Sequence, residues 1–228
     1  MPIHDWTRVP DGIFHHFHQK WTGMIADALN AGLLPEGCYA LVEQRTGVFG
    51  PDVLTLQTLD RPPSVPDPAL PGQLIDDSVI VRHARDDRTV ACVEVVSPGN
   101  KATRDLFRAF IEKATEALDR GVHLLIIDVF PPSERDPQGI HVAVWSEIAN
   151  DSYVAPPDKP LTLAAYEATS PKCAYVEPVA VGDALIDMPL FLLPAHYVAV
   201  PLEATYRSAY QSVPLRWRRV LEGQAQAG

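Results

Sequence analysis

The sequence has little cysteine and no long apolar run. Its three cysteines, Cys38, Cys92 and Cys173, lie far apart and form no CxxC pair, which argues against a zinc site and favours free thiols in a reducing compartment. No apolar run approaches the ~20 residues that span a bilayer. The first residues, MPIHDWTRVPDG, lack the basic and apolar regions of a signal peptide. The sequence therefore predicts a cytoplasmic protein with no membrane partner.

Positive charge is also scarce, because 19 Lys and Arg residues stand against 29 Asp and Glu residues, giving a net charge of −10. Proteins that bind nucleic acid usually present a basic surface to the phosphates. A nucleic-acid partner would therefore have to be bound through a local patch or a metal ion. The chain has no P-loop, GxGxxG, HExxH or Ser-His-Asp pattern, which argues against the nucleotide-binding and hydrolytic classes that these motifs mark. The sequence carries no signal of oligomeric state.

What the 228 residues do contain is the pattern of one α/β domain with a substantial core. Apolar residues at helical spacing predict a helix over residues 13–29 and another from about Thr103 to Asp119. The nearly continuous apolar run Val122–Phe130 is typical of a central strand buried on both faces. Other strands are predicted over residues 38–44, 52–59, 78–84, 89–97 and 141–148.

The strand over residues 89–97, the helix that follows it and the strand Val122–Phe130 form a βαβ unit, so these two strands are predicted to be parallel. Beyond residue 150 prolines are frequent and strands are short. The predicted organisation is a core over residues 1–150 and a Pro-rich C-terminal extension, residues 151–228, packed on the same domain. A helix is predicted over residues 202–221, interrupted at Pro214.

Two carboxylates stand out as candidate metal ligands. Asp52 follows Gly50-Pro51 at the start of a predicted strand, although aspartate is common after such a turn in any case. Glu94 lies inside the otherwise apolar strand TVACVEVVS, where a charge needs a cation, a donor or a metal. Two carboxylates on adjacent strands would form an oxygen-rich site suited to Mg²⁺ or Mn²⁺.

The order of these segments resembles the PD-(D/E)XK nuclease-like superfamily. A helix is followed by GPDVLTL, VEVVSPGNK, a second helix and GVHLLIIDV, which is similar to the Uma-two-like group of that superfamily over roughly residues 13–148. Nearly the whole chain also resembles the bacterial family of unknown function numbered 4058, through MPIHDWTRV, GLLP, EVVSPGNK and MPLFL. The resemblance implies a restriction-endonuclease-like mixed sheet flanked by helices.

By this resemblance, Asp52 takes the role of the aspartate after proline and Glu94 that of the acidic residue of the next motif. The motif has a lysine two residues after the glutamate, where this chain has Val96. Two other lysines could substitute. Lys101 ends SPGNK, and Lys113 shares a helix face with apolar residues that should pack near Glu94. A catalytic lysine that has moved to a helix is known in this superfamily.

Two functions follow from these observations. The first is a metal-dependent phosphodiesterase, a nuclease-like hydrolase, in which Asp52 and Glu94 bind Mg²⁺ or Mn²⁺ and Lys113 or Lys101 assists. The second is a catalytically inactive relative that uses the fold as a binding or assembly module. The carboxylate pair favours the first function, and Val96 and the acidic composition favour the second.

A few other residues have two interpretations each. Glu43 is either a third acidic ligand or a charge at the end of a strand facing water. Asp128, in LLIIDVF, either pairs with an arginine or lines the same cleft as Glu94. The turn Ser97–Asn100 either caps the following helix or presents N–H groups to an anion. His18 falls on the apolar helix face and is either a satisfied histidine at the edge of the core or a residue of the site, and the first is favoured.

Overall fold

The computed structural model describes residues 1–45, 76–149, 153–193 and 196–224. The predicted strand over residues 52–59, and Asp52 with it, lies outside these ranges. In chain order the described elements are α1 (Asp11–Ala28), β1 (Cys38–Arg45), β2 (Asp76–His83), β3 (Thr89–Val95), α2 (Arg104–Asp119), β4 (His123–Asp128), α3 (Ile140–Trp145), β5 (Leu161–Glu167), β6 (Cys173–Val179), β7 (Met188–Leu193), β8 (His196–Val200), α4 (Leu202–Tyr210) and α5 (Leu215–Leu221).

Six strands form one mixed sheet in the order β1-β2-β3-β4-β5-β6. Strands β3 and β4 run parallel, with Glu94 opposite Ile126, and the other four neighbouring pairs are antiparallel. The parallel pair is joined by α2, as the length of the connection requires. The predicted βαβ unit is therefore confirmed, and the fold is a mixed α/β fold with helices flanking the sheet.

Helix α2 follows its sequence pattern closely. Thr103 caps its first turn by accepting a hydrogen bond from the amide of Leu106, and Gly121 ends it with a φ of +77°, a conformation that suits glycine. Between these ends the apolar residues line one face and pack on the sheet. No helix in the described part of the chain is long and apolar enough to span a membrane.

The two faces of the sheet carry separate cores. Helices α2 and α3 cover one face, where Cys92, Leu124 and Ile126 are buried. Helix α1 and the β7–β8 hairpin cover the other face, where Val93 and Leu125 are buried, and α4 packs on α1. Because successive side chains of a strand point to opposite faces, each central strand contributes to both cores.

One element differs from its prediction. Residues 141–148 were expected to form a strand, but the structure has helix α3 there, so this prediction is wrong. The alternating valines at 142 and 144 suggest a strand. The buried residues instead recur at helical spacing: Ile140, His141, Val144 and Trp145. The His141 Nδ1 atom lies 2.9 Å from the hydroxyl of Tyr166 in β5, so packing against the sheet favours the helix over the local pattern.

The residues beyond 150 contribute to the same sheet. Strand β5 pairs with β4, and β6 pairs with β5, so strands from both sides of residue 150 belong to one layer. The predicted helix over 202–221 is present as α4 and α5, with Pro214 directly before α5. The domain boundary at residue 150 remains a prediction.

An aromatic cluster joins the first residues to α4. The Tyr206 hydroxyl receives hydrogen bonds from the His4 amide and from Trp6 Nε1, each at 3.2 Å, and lies 2.8 Å from His4 Nδ1. The His4 ring stacks on Tyr210, with 4.1 Å between the ring centroids. Burial lowers the pKa of His4 to about 4, so this ring is neutral at physiological pH.

Candidate functional site

Glu94 lies at the centre of the sheet, on the face that α2 covers. Strand β3 is flanked by β2 and β4, and strand alternation places Glu94 on the same face as Cys92. Only 3% of the surface of Glu94 is exposed. A carboxylate at such a position requires cations or hydrogen-bond donors, because an unpaired buried charge is strongly destabilising.

Lys113 of α2 supplies the cation. Its Nζ atom lies 2.8 Å from Glu94 Oε1 and 3.1 Å from Ser78 Oγ. The Cys92 thiol donates to the same carboxylate oxygen at 3.0 Å, and the Ser78 hydroxyl also hydrogen-bonds the carboxylate. The expectation that the Lys113 ammonium faces Glu94 is therefore confirmed. We call these four residues the Glu94 cluster.

The position of Lys113 follows from the face that α2 buries. Phe110, Ala114 and Ala117 are buried against the sheet, and Lys113 lies at the border of that face. Its long side chain can cover apolar surface while its ammonium extends to the strands. The spacing of Lys113 along α2 therefore explains why its ammonium meets the buried carboxylate of Glu94 in β3.

Two opposing effects set the pKa of Glu94. Burial of the carboxyl raises its pKa, but the charge and hydrogen bond of Lys113, with smaller contributions from Cys92 and Ser78, lower it further than burial raises it. The pKa of Glu94 therefore lies below its ordinary value. The carboxylate is ionised at neutral pH, and the ion pair with Lys113 is fully formed there.

The immediate surroundings of Glu94 are tightly packed. Val96, at the position of the motif lysine, is fully buried among apolar residues. A space of about 10 Å³ beside the carboxylate is lined by Glu94, Phe110, Lys113, Ala114, Ala117 and Leu124. This space is about the size of a single water molecule. This space is therefore too small to hold a phosphate group.

The other predicted metal ligand, Asp52, belongs to residues 46–75, outside the described ranges. Within those ranges, no group of three or more His, Cys, Asp or Glu side chains is arranged to hold a metal ion. The described residues thus supply one carboxylate, Glu94, toward the predicted Mg²⁺ or Mn²⁺ site. The pairing of Asp52 with Glu94 remains a prediction.

Lys101, the other candidate lysine, belongs to a second cluster. Its Nζ atom lies 2.6 Å from Asp128 Oδ2 and 2.7 Å from Asp136 Oδ2, and all three residues are buried. Arg135 donates from Nη1 to the Lys101 carbonyl at 3.0 Å. One ammonium thus joins the turn after β3, the end of β4 and the turn before α3. We call Lys101, Asp128 and Asp136 the Lys101 cluster.

The Lys101 cluster holds one positive and two negative groups. Burial raises the pKa of Asp128 to about 6, even though Lys101 and the amide of Phe130 both favour its charged form. Burial lowers the pKa of Lys101, but the two aspartates raise it more, so the net direction is upward. Lys101 is therefore charged at neutral pH, and Asp128 is the carboxyl that takes up a proton on mild acidification.

Asp136 is a buried partner that sequence reasoning missed. It lies in the segment PPSERDPQG, which has the composition of an exposed turn. Its carboxylate accepts hydrogen bonds from the amide and hydroxyl of Ser133, a local turn signal that the S-x-x-D spacing does contain. Nothing in the local pattern indicates that the turn is folded inward onto Lys101.

The contacts of Glu43, His18 and the turn Ser97–Asn100 distinguish between their alternative interpretations. Glu43 is half-buried and forms an ion pair with Arg82, 2.9 Å from Oε1 to Nε. His18 is buried, with its Nε2 atom 2.8 Å from the Val95 carbonyl oxygen, as expected of a satisfied core histidine. Ser97 and Asn100 form a reciprocal capping box on the short 3-10 turn Pro98–Lys101. The cap of α2 is Thr103, so the capping interpretation holds for this turn and not for the long helix that follows.

The fold and these contacts define an α/β protein with two buried lysine–carboxylate clusters. Strand alternation places Glu94 and Asp128 on the same side of the sheet. Comparison of the chain with protein-family models, curated proteins and solved structures found no match. The comparisons therefore add no functional assignment to this geometry.

Proposed function

We propose that the chain is a metal-dependent phosphodiesterase of the PD-(D/E)XK type that acts on nucleic acid. In this proposal Asp52 and Glu94 bind Mg²⁺ or Mn²⁺, and Lys113 is the lysine of the site. The observation that supports it best is the 2.8 Å distance between Lys113 Nζ and Glu94 Oε1. Lys113 of α2 thus places an ammonium beside Glu94, the residue that corresponds to the motif glutamate. The position of the motif lysine is occupied by the buried Val96.

Each residue has a distinct role in this proposal. A bound divalent ion polarises a phosphoryl oxygen and lowers the pKa of a coordinated water. Glu94 supplies a hard oxygen ligand of the kind that Mg²⁺ prefers, and Ser78 and Cys92 hold its carboxylate in place. Lys113 orients the attacking water or stabilises the charge that develops on the phosphate. Lys101 takes no part, because Asp128 and Asp136 hold its ammonium.

A second candidate function is a catalytically inactive relative that serves as a binding or assembly module. It is favoured by the contacts of the Glu94 carboxylate, which already has an ion pair with Lys113 and hydrogen bonds with Cys92 and Ser78. The space beside this carboxylate is only about 10 Å³. In this alternative the Glu94 cluster is structural. The net charge of −10 also favours partners other than nucleic acid.

Metal titration and a cleavage assay distinguish the two functions. We expect the wild type to bind Mn²⁺ in calorimetry and to cleave single-stranded or duplex nucleic acid in its presence. Glu94→Gln should lose Mn²⁺ binding, because one remaining carboxylate rarely holds a hard divalent ion. Lys113→Gln can still hydrogen-bond Glu94, so it should retain the metal while cleavage falls by about 10²–10⁴-fold.

Lys172→Gln is the matched control, because Lys172 forms an ion pair with Asp119 on the surface. It should leave both Mn²⁺ binding and cleavage unchanged. Identical preparation of all variants excludes a contaminating nuclease, since a contaminant would cleave equally in every sample. A folded wild type that neither binds Mn²⁺ nor cleaves any of the substrates would overturn the phosphodiesterase proposal in favour of the inactive module.

A further inference from the structure

A groove of about 690 Å³ lies between α2 and α3. Its volume is within the range of ligand-binding clefts. Along α2 it extends from Arg104 to Thr115, about 16 Å at 1.5 Å per residue, which is the length of three helical turns. It is separate from the Glu94 cluster, because Lys113 projects from a different face of α2 from the residues that line the groove.

The floor of the groove is apolar and continuous with the core. Phe107 and Ala143 are partly buried and pack against the buried cluster to which Ile111 belongs. These side chains come from both helices, so the groove is a seam between two packed helices rather than a surface depression on one of them. Such a seam accepts the ridge of a third helix.

The rim of the groove is charged, and the sign changes along its length. Near the start of α2 the groove is lined by Arg104, Arg135 and Glu134. Arg135 is fixed there by its hydrogen bond to the Lys101 carbonyl. The residues that line the first end therefore carry a net positive charge.

The other end of the groove is acidic. Glu112 lies one helical turn beyond Arg108 and forms an ion pair with it at 2.8 Å, and Glu147 also lines the groove. Glu147 also acts on Arg108 through its charge. Since Arg108 neutralises only one of the two glutamates, this end keeps a net negative charge.

We propose that this groove docks an amphipathic helix of a partner protein, with an apolar stripe on Phe107, Ile111 and Ala143. The acidic first turn of the partner helix lies at Arg104 and Arg135, and its basic last turn lies at Glu147. Helices commonly carry acidic residues at the start and basic residues at the end, because of the helix dipole. The partner helix therefore runs in the same direction as α2. The geometry is that of helix-in-groove recognition, and it does not depend on the phosphodiesterase proposal.

Two synthetic peptides test this arrangement by fluorescence anisotropy on the full chain. Both are capped helices of about four turns, with leucines at i, i+3, i+4 and i+7. The first has glutamates in its first turn and lysines in its last, and in the second these charges are exchanged. We expect the first to bind about tenfold more tightly, because each exchange converts an attraction at the rim into a repulsion.

The charge-swapped variant Arg104→Glu/Glu147→Lys provides the decisive control. Both side chains are exposed, and within the described residues neither forms a hydrogen bond or ion pair, so the variant should fold normally. It should reverse the preference and bind the second peptide more tightly. Failure of both peptides to bind the wild type would overturn the proposal. An unchanged preference in the folded variant would overturn it as well, by assigning the binding to another surface.

Discussion

Glu94→Ala is expected to lower the free energy of unfolding by about 3–5 kcal/mol at pH 7, the usual effect of removing one partner of a buried ion pair. Lys113 would be left beside Ser78 with only 14% of its side chain exposed. For a chain of this size, such a loss lowers the melting temperature by roughly 6–20 °C. Thermal and urea denaturation in the presence of EDTA measure this effect without any contribution from metal.

A double-mutant cycle separates the ion pair from the other contacts of Glu94. Lys113→Met should also destabilise the protein, because it leaves the buried carboxylate without its cation. The combined Glu94→Ala/Lys113→Met variant should be less destabilised than the sum of its single changes, since no unpaired charge remains. Additive effects would show that the two side chains do not interact in solution.

Acidification provides an independent check on Glu94. Its pKa is lower in the folded protein than in the unfolded chain, so its contribution to stability is present above the ordinary carboxyl pKa and is lost as the pH falls through the folded value. The difference between wild type and Glu94→Ala should therefore be constant near neutral pH and shrink in acid below about pH 4.5.

Lys101→Met is expected to be the most pH-dependent change in the described part of the chain. At pH 8 it leaves Asp128 and Asp136 buried without their shared cation, at a cost of about 3–5 kcal/mol. At pH 5 the cost should be smaller, because Asp128, whose pKa is raised to about 6, can take up a proton and become neutral. Urea denaturation of wild type and variant at several pH values between 5 and 8 measures both ends of this range.

The stability of the wild type should itself vary with pH because of Asp128. The pKa of this carboxyl is raised to about 6 in the folded protein, so its contribution to stability is fully present below the unfolded pKa and is lost as the pH rises through 6. Lys172→Met, on a half-exposed surface ion pair, is the control and should cost less than about 1 kcal/mol at any pH. A loss on Lys101→Met that does not vary with pH would contradict the assignment of charge to this cluster.

The parts of the fold that local periodicity determines could be predicted from the sequence. Helix α2, strand β4 and their parallel crossover follow from apolar spacing and from Gly121. The direction of Lys113 follows from the same spacing, because a helix face fixes which residues meet the sheet. These predictions concern elements within a few tens of residues of each other.

The parts that depend on distant contacts could not be predicted in this way. Helix α3 is determined by its packing against Tyr166, which overrides a pattern of alternating valines. Asp136 is buried by an ion pair to Lys101, 35 residues away in sequence but adjacent in space, and its surroundings resemble any exposed turn. The sequence therefore does not indicate which carboxylates pair with Lys101, although it does predict that Asp128 is a buried carboxylate.

The hydrogen bonds from His4 and Trp6 to Tyr206 join residues separated by 202 and 200 positions. Contacts of such long range form late, because closing a long loop costs entropy before any contact stabilises it. During synthesis, the contacts of Phe17 and Trp21 with Tyr206 cannot form until α4 has left the ribosome. This part of the core is therefore completed only after α4 has been made, and a translation product interrupted before α4 would expose apolar surface of α1 to chaperones and proteases.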